Sequence, residues 1–153
     1  TFVIQLPRIV LAEFNTHRMF SRNSASSRAI PFKKMVKMVQ ENPFIPIAWQ
    51  KDHKGMQGEE YITDKIDIKV ARTEWLQSRE ETIHRATNLH NSGVTKQLCN
   101  RLLEPFMWHK VIVTSSEEGL MNFFNLRCPQ YVIEEVQPNL SKTYYKSWKD
   151  LCK

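Results

Sequence analysis

From about Ile62 to Leu89 the sequence runs without a proline or a glycine and reads as one long helical stretch, with Ile66, Val70, Trp75 (or Leu76), Ile83 and Ala86 as its apolar positions. A helix of that length reaches about 40 Å, so it sets the scale of any fold the chain can adopt. Asn91-Ser92-Gly93 supplies its C-terminal punctuation. Prolines divide the remainder. Thr1 to Leu6 favours β residues and reads as a strand ending at Pro7, and a helix follows from Arg8 to about Phe20. Ser21 to Ile30 is polar and small, hence a loop. Pro31 opens a helix with the stripe Phe32, Met35, Val36, Met38 and Val39, which stops before Pro43. Asn42 to Glu60 reads as an irregular excursion. Val94 to Leu103 is helical up to Pro105, and Trp108 to Thr114 (WHKVIVT) is a strand. Ser115 and Glu118 form a capping-box pattern that opens the helix GLMNFFNLRC. Pro129 interrupts it, another helical piece follows to Gln137, and Thr143 to Cys152 reads as a short final helix. The expected class is α+β: a helix-rich single domain over residues 1–153 with a small antiparallel sheet.

Composition narrows the function classes. A chain of 153 residues that is 41% hydrophobic and 25% charged can bury one core without disulfides. No apolar run approaches a membrane span. Cys99, Cys128 and Cys152 are odd in number and lack CxxC spacing, which argues for a reducing, cytoplasmic setting. The four glycines write neither GxGxxG nor a Walker loop, and no GxSxG elbow exists. His17, His53, His84, His90 and His109 show no HExxH pairing, so no metal site is expected and most read as structural or surface residues. Trp49, Trp75, Trp108 and Trp148, the Met19, Met35, Met38 series and the Phe123-Phe124 pair read as packing. A net charge of +6 points to anionic partners, either nucleotide phosphates or nucleic acid. Thr1 leads straight into Phe2-Val3-Ile4, which fits a chain whose true start lies upstream.

The informative segment is Asn15 to Lys34, NTHRMFSRNSASSRAIPFKK. Arg18, Arg22, Arg28, Lys33 and Lys34 supply cations with no intervening carboxylate, and Ser21, Ser24, Ser26 and Ser27 add hydroxyls. Planar guanidinium forks beside a polar loop suit a phosphate monoester. A solvated Ser/Arg surface loop, open to phosphorylation, is the plainer reading of the same residues.

The spacing His17-Arg18-x-x-Ser21-x-Asn23-x-x-Ser26-x-Arg28 resembles the RHRxxSxNExSxRY signature of the flavin-dependent thymidylate synthases. Thr16, Ser24 and Ala29 depart from it, replacing arginine, glutamate and tyrosine. Leu120 to Arg127 is similar to that family's LxxFLxLR helix, and Gln130 to Glu135 to its AQxEIR. Arg101-Leu102-Leu103-Glu104-Pro105 is similar to its RxxLP element. The resemblance covers Pro7 to Gln137 and lacks most of the family's N-terminal region.

The resemblance implies a fold, a reaction and a residue set. Ser26 and Arg28 fall where the family holds the nucleotide phosphate, Ser24 on a substrate-binding position of the same loop, and Arg101 on a further arginine that contacts the nucleotide. Glu13, Asn15 and Thr16 lie in the helix end bordering it. Arg127 falls on the arginine set against the pyrimidine ring, where it favours ionisation at N3 and so acts as the catalytic group. His17, Arg18, Ser116, Glu118 and Asn122 fall on positions facing FAD. In the family FAD, reduced by NADPH, takes a one-carbon unit from methylenetetrahydrofolate and delivers it to C5 of dUMP, in a site shared within a homotetramer. Ser116 and Glu118 replace an asparagine and an arginine. With Thr16 they remove two cations and add an anion, at about 1.5–3 kcal/mol per charged hydrogen bond, so FAD is expected to bind loosely. Two alternatives accompany this reading: a divergent member making another C5-modified pyrimidine nucleotide, and a non-catalytic basic nucleic-acid-binding module on the same scaffold. Arg28, Arg101 and Arg127 together favour an intact nucleotide pocket, and so a pyrimidine nucleotide over nucleic acid as partner.

Overall fold

The computed structural model of the chain describes residues 1–55 and 60–127. Expectations for the pieces after Arg127, including the Gln130 to Glu135 motif and the last two cysteines, lie outside the described residues. Helices dominate, and three short strands form one antiparallel sheet.

Strand β1 (Phe2–Pro7), strand β2 (Ser21–Ser24) and strand β3 (Trp108–Thr114) are ordered β1-β3-β2. Strand β3 is central because its alternation is strongest. His109, Val111 and Val113 point inward while Lys110, Ile112 and Thr114 face out. Its register with β1 runs from Phe2 opposite Val113 to Pro7 opposite Trp108, and with β2 from Ser21 opposite Thr114 to Ser24 opposite Val111.

Two expectations change here. The helix after Pro7 does not reach Phe20. A 3-10 turn over Arg8–Val10 passes into a single-turn helix α1 (Leu11–Phe14) and stops. The rings of Phe14 and Phe20 close the bend at 5.6 Å, and Arg22 Nη1 donates to the carbonyls of His17 (2.6 Å) and Phe14 (3.2 Å). Ser21 to Ser24 is a strand rather than loop. Nothing in SRNS favours extension; the free edge of β3 supplies the backbone partners instead.

The remaining helices are α2 (Phe32–Glu41), α3 (Lys65–Asn91), α4 (Lys96–Leu103) and α5 (Glu117–Arg127). Thr95 caps α4 by accepting from the Gln97 N–H, and Asp64 Oδ1 accepts from Ile66 and Asp67 at the start of α3. At α5 the Gly119 N–H donates to Ser116 Oγ at 3.2 Å, so the cap falls one residue beyond Ser115.

Contacts divide the described residues into two units, 1–46 with 70–114, and a second drawn from 47–69 and 115–127. In the second, the excursion before α3 is tied by an antiparallel bridge between Gln50 and Tyr61 and by the Lys51–Glu60 ion pair at 2.9 Å. The first holds the core: Phe32, Met35 and Val39 of α2 against Ile83 and Ala86 of α3, Cys99 and Leu103 of α4, then Phe106 and Met107. Phe44 lies edge-on to Trp75 and Trp108, and Trp75 Nε1 donates to its carbonyl at 2.8 Å. Ile66, Val70 and Met19 are exposed, against the packing expected of them. Met35 has no solvent exposure, so Met35→Ala is expected to cost about 2–5 kcal/mol, read as a lower denaturant midpoint with an unchanged slope.

Candidate functional site

After β2 the chain folds into a 3-10 turn over Ser27–Ala29, with Ser26 extended in front of it. Helix α4 holds that turn. Asn100 is fully buried, and its Nδ2 donates to the carbonyls of both Ser27 and Ile30 at 2.8 Å. Lys96 Nζ adds a 3.3 Å contact to the Ala29 carbonyl. Because Asn100 fixes the turn, Arg101 on the next helical position arrives beside it.

A cleft of about 300 Å³ results, entirely within the first unit. Residues Ser24 through Arg28 form one side, Arg101 and Glu104 another, and Arg8, Leu11 and His109 complete it. Glu104 opens the 3-10 turn after α4 and ties two sides together. It accepts from Ser27 Oγ and lies 3.4 Å from Arg8 Nη2. Three guanidiniums against one carboxylate leave two positive charges, with the serine hydroxyls alongside. That is the charge of a phosphate monoester with the sign reversed.

His109 is 4% exposed on the inner face of β3. Burial holds its imidazole below the usual histidine range; the Arg8 guanidinium pushes the same way and Glu104 partly offsets it. It is therefore neutral at pH 7.

Of the residues singled out from sequence, Ser24, Ser26, Arg28 and Arg101 come together here. Glu13, Asn15, Thr16 and Arg18 are exposed on and after α1 and do not line the cleft, and Thr16 Oγ1 donates to the Glu13 carbonyl. His17 is half-buried against the rings of Phe14 and Phe20. Arg22 caps the α1 bend instead of joining the cationic group. Ser116, Glu118 and Asn122 are exposed in the second unit, and Arg127 is the last residue of α5. Sequence reasoning missed Arg8, Glu104, His109 and the amide of Asn100. Glu104 carried a signal, standing where the RxxLP element has leucine, and His109 sits on the inward phase of WHKVIVT.

A sequence model described as thymidylate synthase complementing protein matches residues 1–149. The chain belongs to that family. Among solved structures it is similar to a UMP/dUMP methylase, PolB from Streptomyces cacaoi, bound with 5-Br UMP. The TM-score is 0.66 at 19% identity, covering 97% of this chain and 66% of that one. The same methylase bound with 5-Br dUMP gives a TM-score of 0.65 at 17% identity, covering 94% and 64%. The chain thus spans slightly under two thirds of the chains it resembles. No curated protein matches it. At these identities the likeness establishes the fold, which is that of the thymidylate synthase complementing proteins: helices around a small antiparallel sheet.

The depressed His109 titration has a consequence for stability. Its folded value lies below its unfolded one, so between the two the unfolded chain binds more protons and stability falls as pH drops from 7 toward 5. Thermal unfolding across that range should show the loss in the wild type and a shallower slope in His109→Phe.

Proposed function

We propose that the cleft binds a pyrimidine nucleoside monophosphate and that the protein transfers a one-carbon unit to C5 of the ring, converting dUMP to dTMP. The gathering of Ser24, Ser26, Arg28 and Arg101 in one cleft with two net positive charges carries this reading. Family membership supports the reaction class. The similar structures, described as a UMP/dUMP methylase bound with 5-Br UMP and 5-Br dUMP, favour a second reading in which UMP also serves.

In this reading Arg28, Ser26 and Arg101 hold the phosphate and fix the nucleotide's position, a contact present before and during reaction. Arg127 acts at the ring, where a permanent cation favours the N3-ionised pyrimidine. FAD is the proposed cofactor, with NADPH and methylenetetrahydrofolate as co-substrates, and it supplies the redox chemistry of the methyl transfer when bound. The donor chemistry of His17, Arg18 and Asn122 fits a flavin dinucleotide held by few charges. Thr16 Oγ1 is engaged with its own helix end, Ser116 Oγ with the α5 cap, and Glu118 is an exposed carboxylate. A homotetramer in the cytoplasm completes the proposal. The exposed Val3 and Ile112, paired on the outer face of the sheet, support association. No helix among the described residues is long and apolar enough to cross a membrane.

Two variants separate these roles. Arg28→Ala removes uniform binding and should raise the dUMP Kd and KM about ten-fold or more with kcat little changed. Arg127→Lys keeps the charge and loses the planar fork, so it should lower kcat more than it raises KM. Titration calorimetry and initial-rate kinetics check both. Unchanged nucleotide affinity in Arg28→Ala contradicts the phosphate assignment, and an unaltered kcat in Arg127→Lys contradicts the ring assignment.

A further inference from the structure

Two residues that line the cleft each carry a buried side-chain nitrogen without a hydrogen-bond partner among the described residues: Arg8 Nε and His109 Nε2. An unsatisfied buried donor is costly, and in a native fold it calls for a physical reason. Both residues line the same cleft. Arg8 is oriented through Glu104, which engages its Nη2 and leaves Nε unused. Because Glu104 also accepts from Ser27 Oγ, Arg8 is joined through one carboxylate to the serine loop that faces the ligand. His109 approaches from β3, opposite Leu6 in register, and no other inward residue of β3 is polar.

We propose that Arg8 and His109 are ligand-contacting residues of this cleft: together they take an oxygen of the anionic group that the Ser24–Arg28 loop holds, and Glu104 positions Arg8 for that contact. The inference rests on the nucleotide monophosphate reading above and adds a second wall to the site. Its chemistry suits a terminal phosphate. Arg8 Nε donates, and an imidazole Nε2 whose tautomer is free to adjust donates to the same or a neighbouring oxygen. Burial and Arg8 keep the imidazole neutral in the free protein, so it offers a hydrogen bond without adding charge to an already cationic site. Among the described residues, Arg28 and Arg101 are the other cations that line the cleft, and Glu104 is its one carboxylate. Glu104 stands where the family's RxxLP element carries leucine, so the coupling of Arg8 to Ser27 is a feature of this chain's own residues.

The test measures dUMP and inorganic phosphate affinity, with the melting temperature at pH 7, for the full chain and two variants. His109→Phe keeps the ring's shape and removes both nitrogens; Arg8→Lys keeps the charge and removes Nε and the fork. Each should weaken dUMP binding about ten-fold, and phosphate binding in parallel. His109→Phe should at the same time hold or raise the melting temperature, because an unpartnered buried nitrogen gives way to carbon. Weakened binding with retained stability supports the ligand-contacting role. Unchanged dUMP affinity in His109→Phe overturns it while leaving the nucleotide reading intact, and a lowered melting temperature with unchanged affinity marks a structural histidine. A wild-type chain that binds neither dUMP nor phosphate overturns both the wall and the reading beneath it.

Discussion

The site depends on one buried amide. Asn100 Nδ2 reaches two backbone carbonyls, those of Ser27 and Ile30, and among the described residues no other side chain duplicates that pairing. The turn it fixes is short, polar and built from residues with little preference for any regular conformation. Held by the amide, Ser24 to Arg28 becomes one wall of a cleft rather than a solvated stretch of surface. The Ser27 carbonyl also accepts from the Ile30 N–H at 3.2 Å, so losing the amide would cost most at the Ile30 carbonyl, about 1–3 kcal/mol beside a core helix. Asn100 Oδ1 finds no partner among the described residues, so the residue serves through its donors alone.

A second constraint is the register of β3. Its inward phase places Val111 and Val113 in the interior and brings His109 to the cleft, while β1 and β2 occupy its two edges. Pro7 closes β1 opposite Trp108, and Arg8 follows at once with its backbone N–H on the Met107 carbonyl at 2.9 Å. Shifting that register by one residue would exchange His109 for Lys110 and turn the valines to solvent. Sheet pairing and site chemistry are therefore set by the same alternation.

Much of this was legible in the amino-acid sequence, for definite reasons. Helices α2 and α4 carry a 3.6-residue apolar period and each stops before a proline, and α3 is an unbroken run without proline or glycine closed by Asn-Ser-Gly, signals that are local. Strand β3 announces itself through β-branched alternation. The end of α1 and the existence of β2 were not legible. Both follow from long-range events: a guanidinium eight residues away from the carbonyl it caps, and a free strand edge some ninety residues downstream. The spacing of Ser24, Ser26, Arg28 and Arg101 located the cleft through a family resemblance. Arg8, Glu104 and His109 stayed hidden because their meaning lies in proximity: a guanidinium, a carboxylate and an inward histidine far apart in the chain acquire a role only when folded.

The central claim is that the Asn100-anchored turn and Arg101 form the seat of a nucleotide phosphate. A crystal structure of the full chain with dUMP tests it most directly. The account predicts the phosphate within hydrogen-bonding distance of Ser26, Arg28 and Arg101, with the Asn100 amide still on the Ser27 and Ile30 carbonyls. A phosphate seated instead at exposed cations outside this cleft, such as Arg18, Lys33 or Lys34, would contradict it.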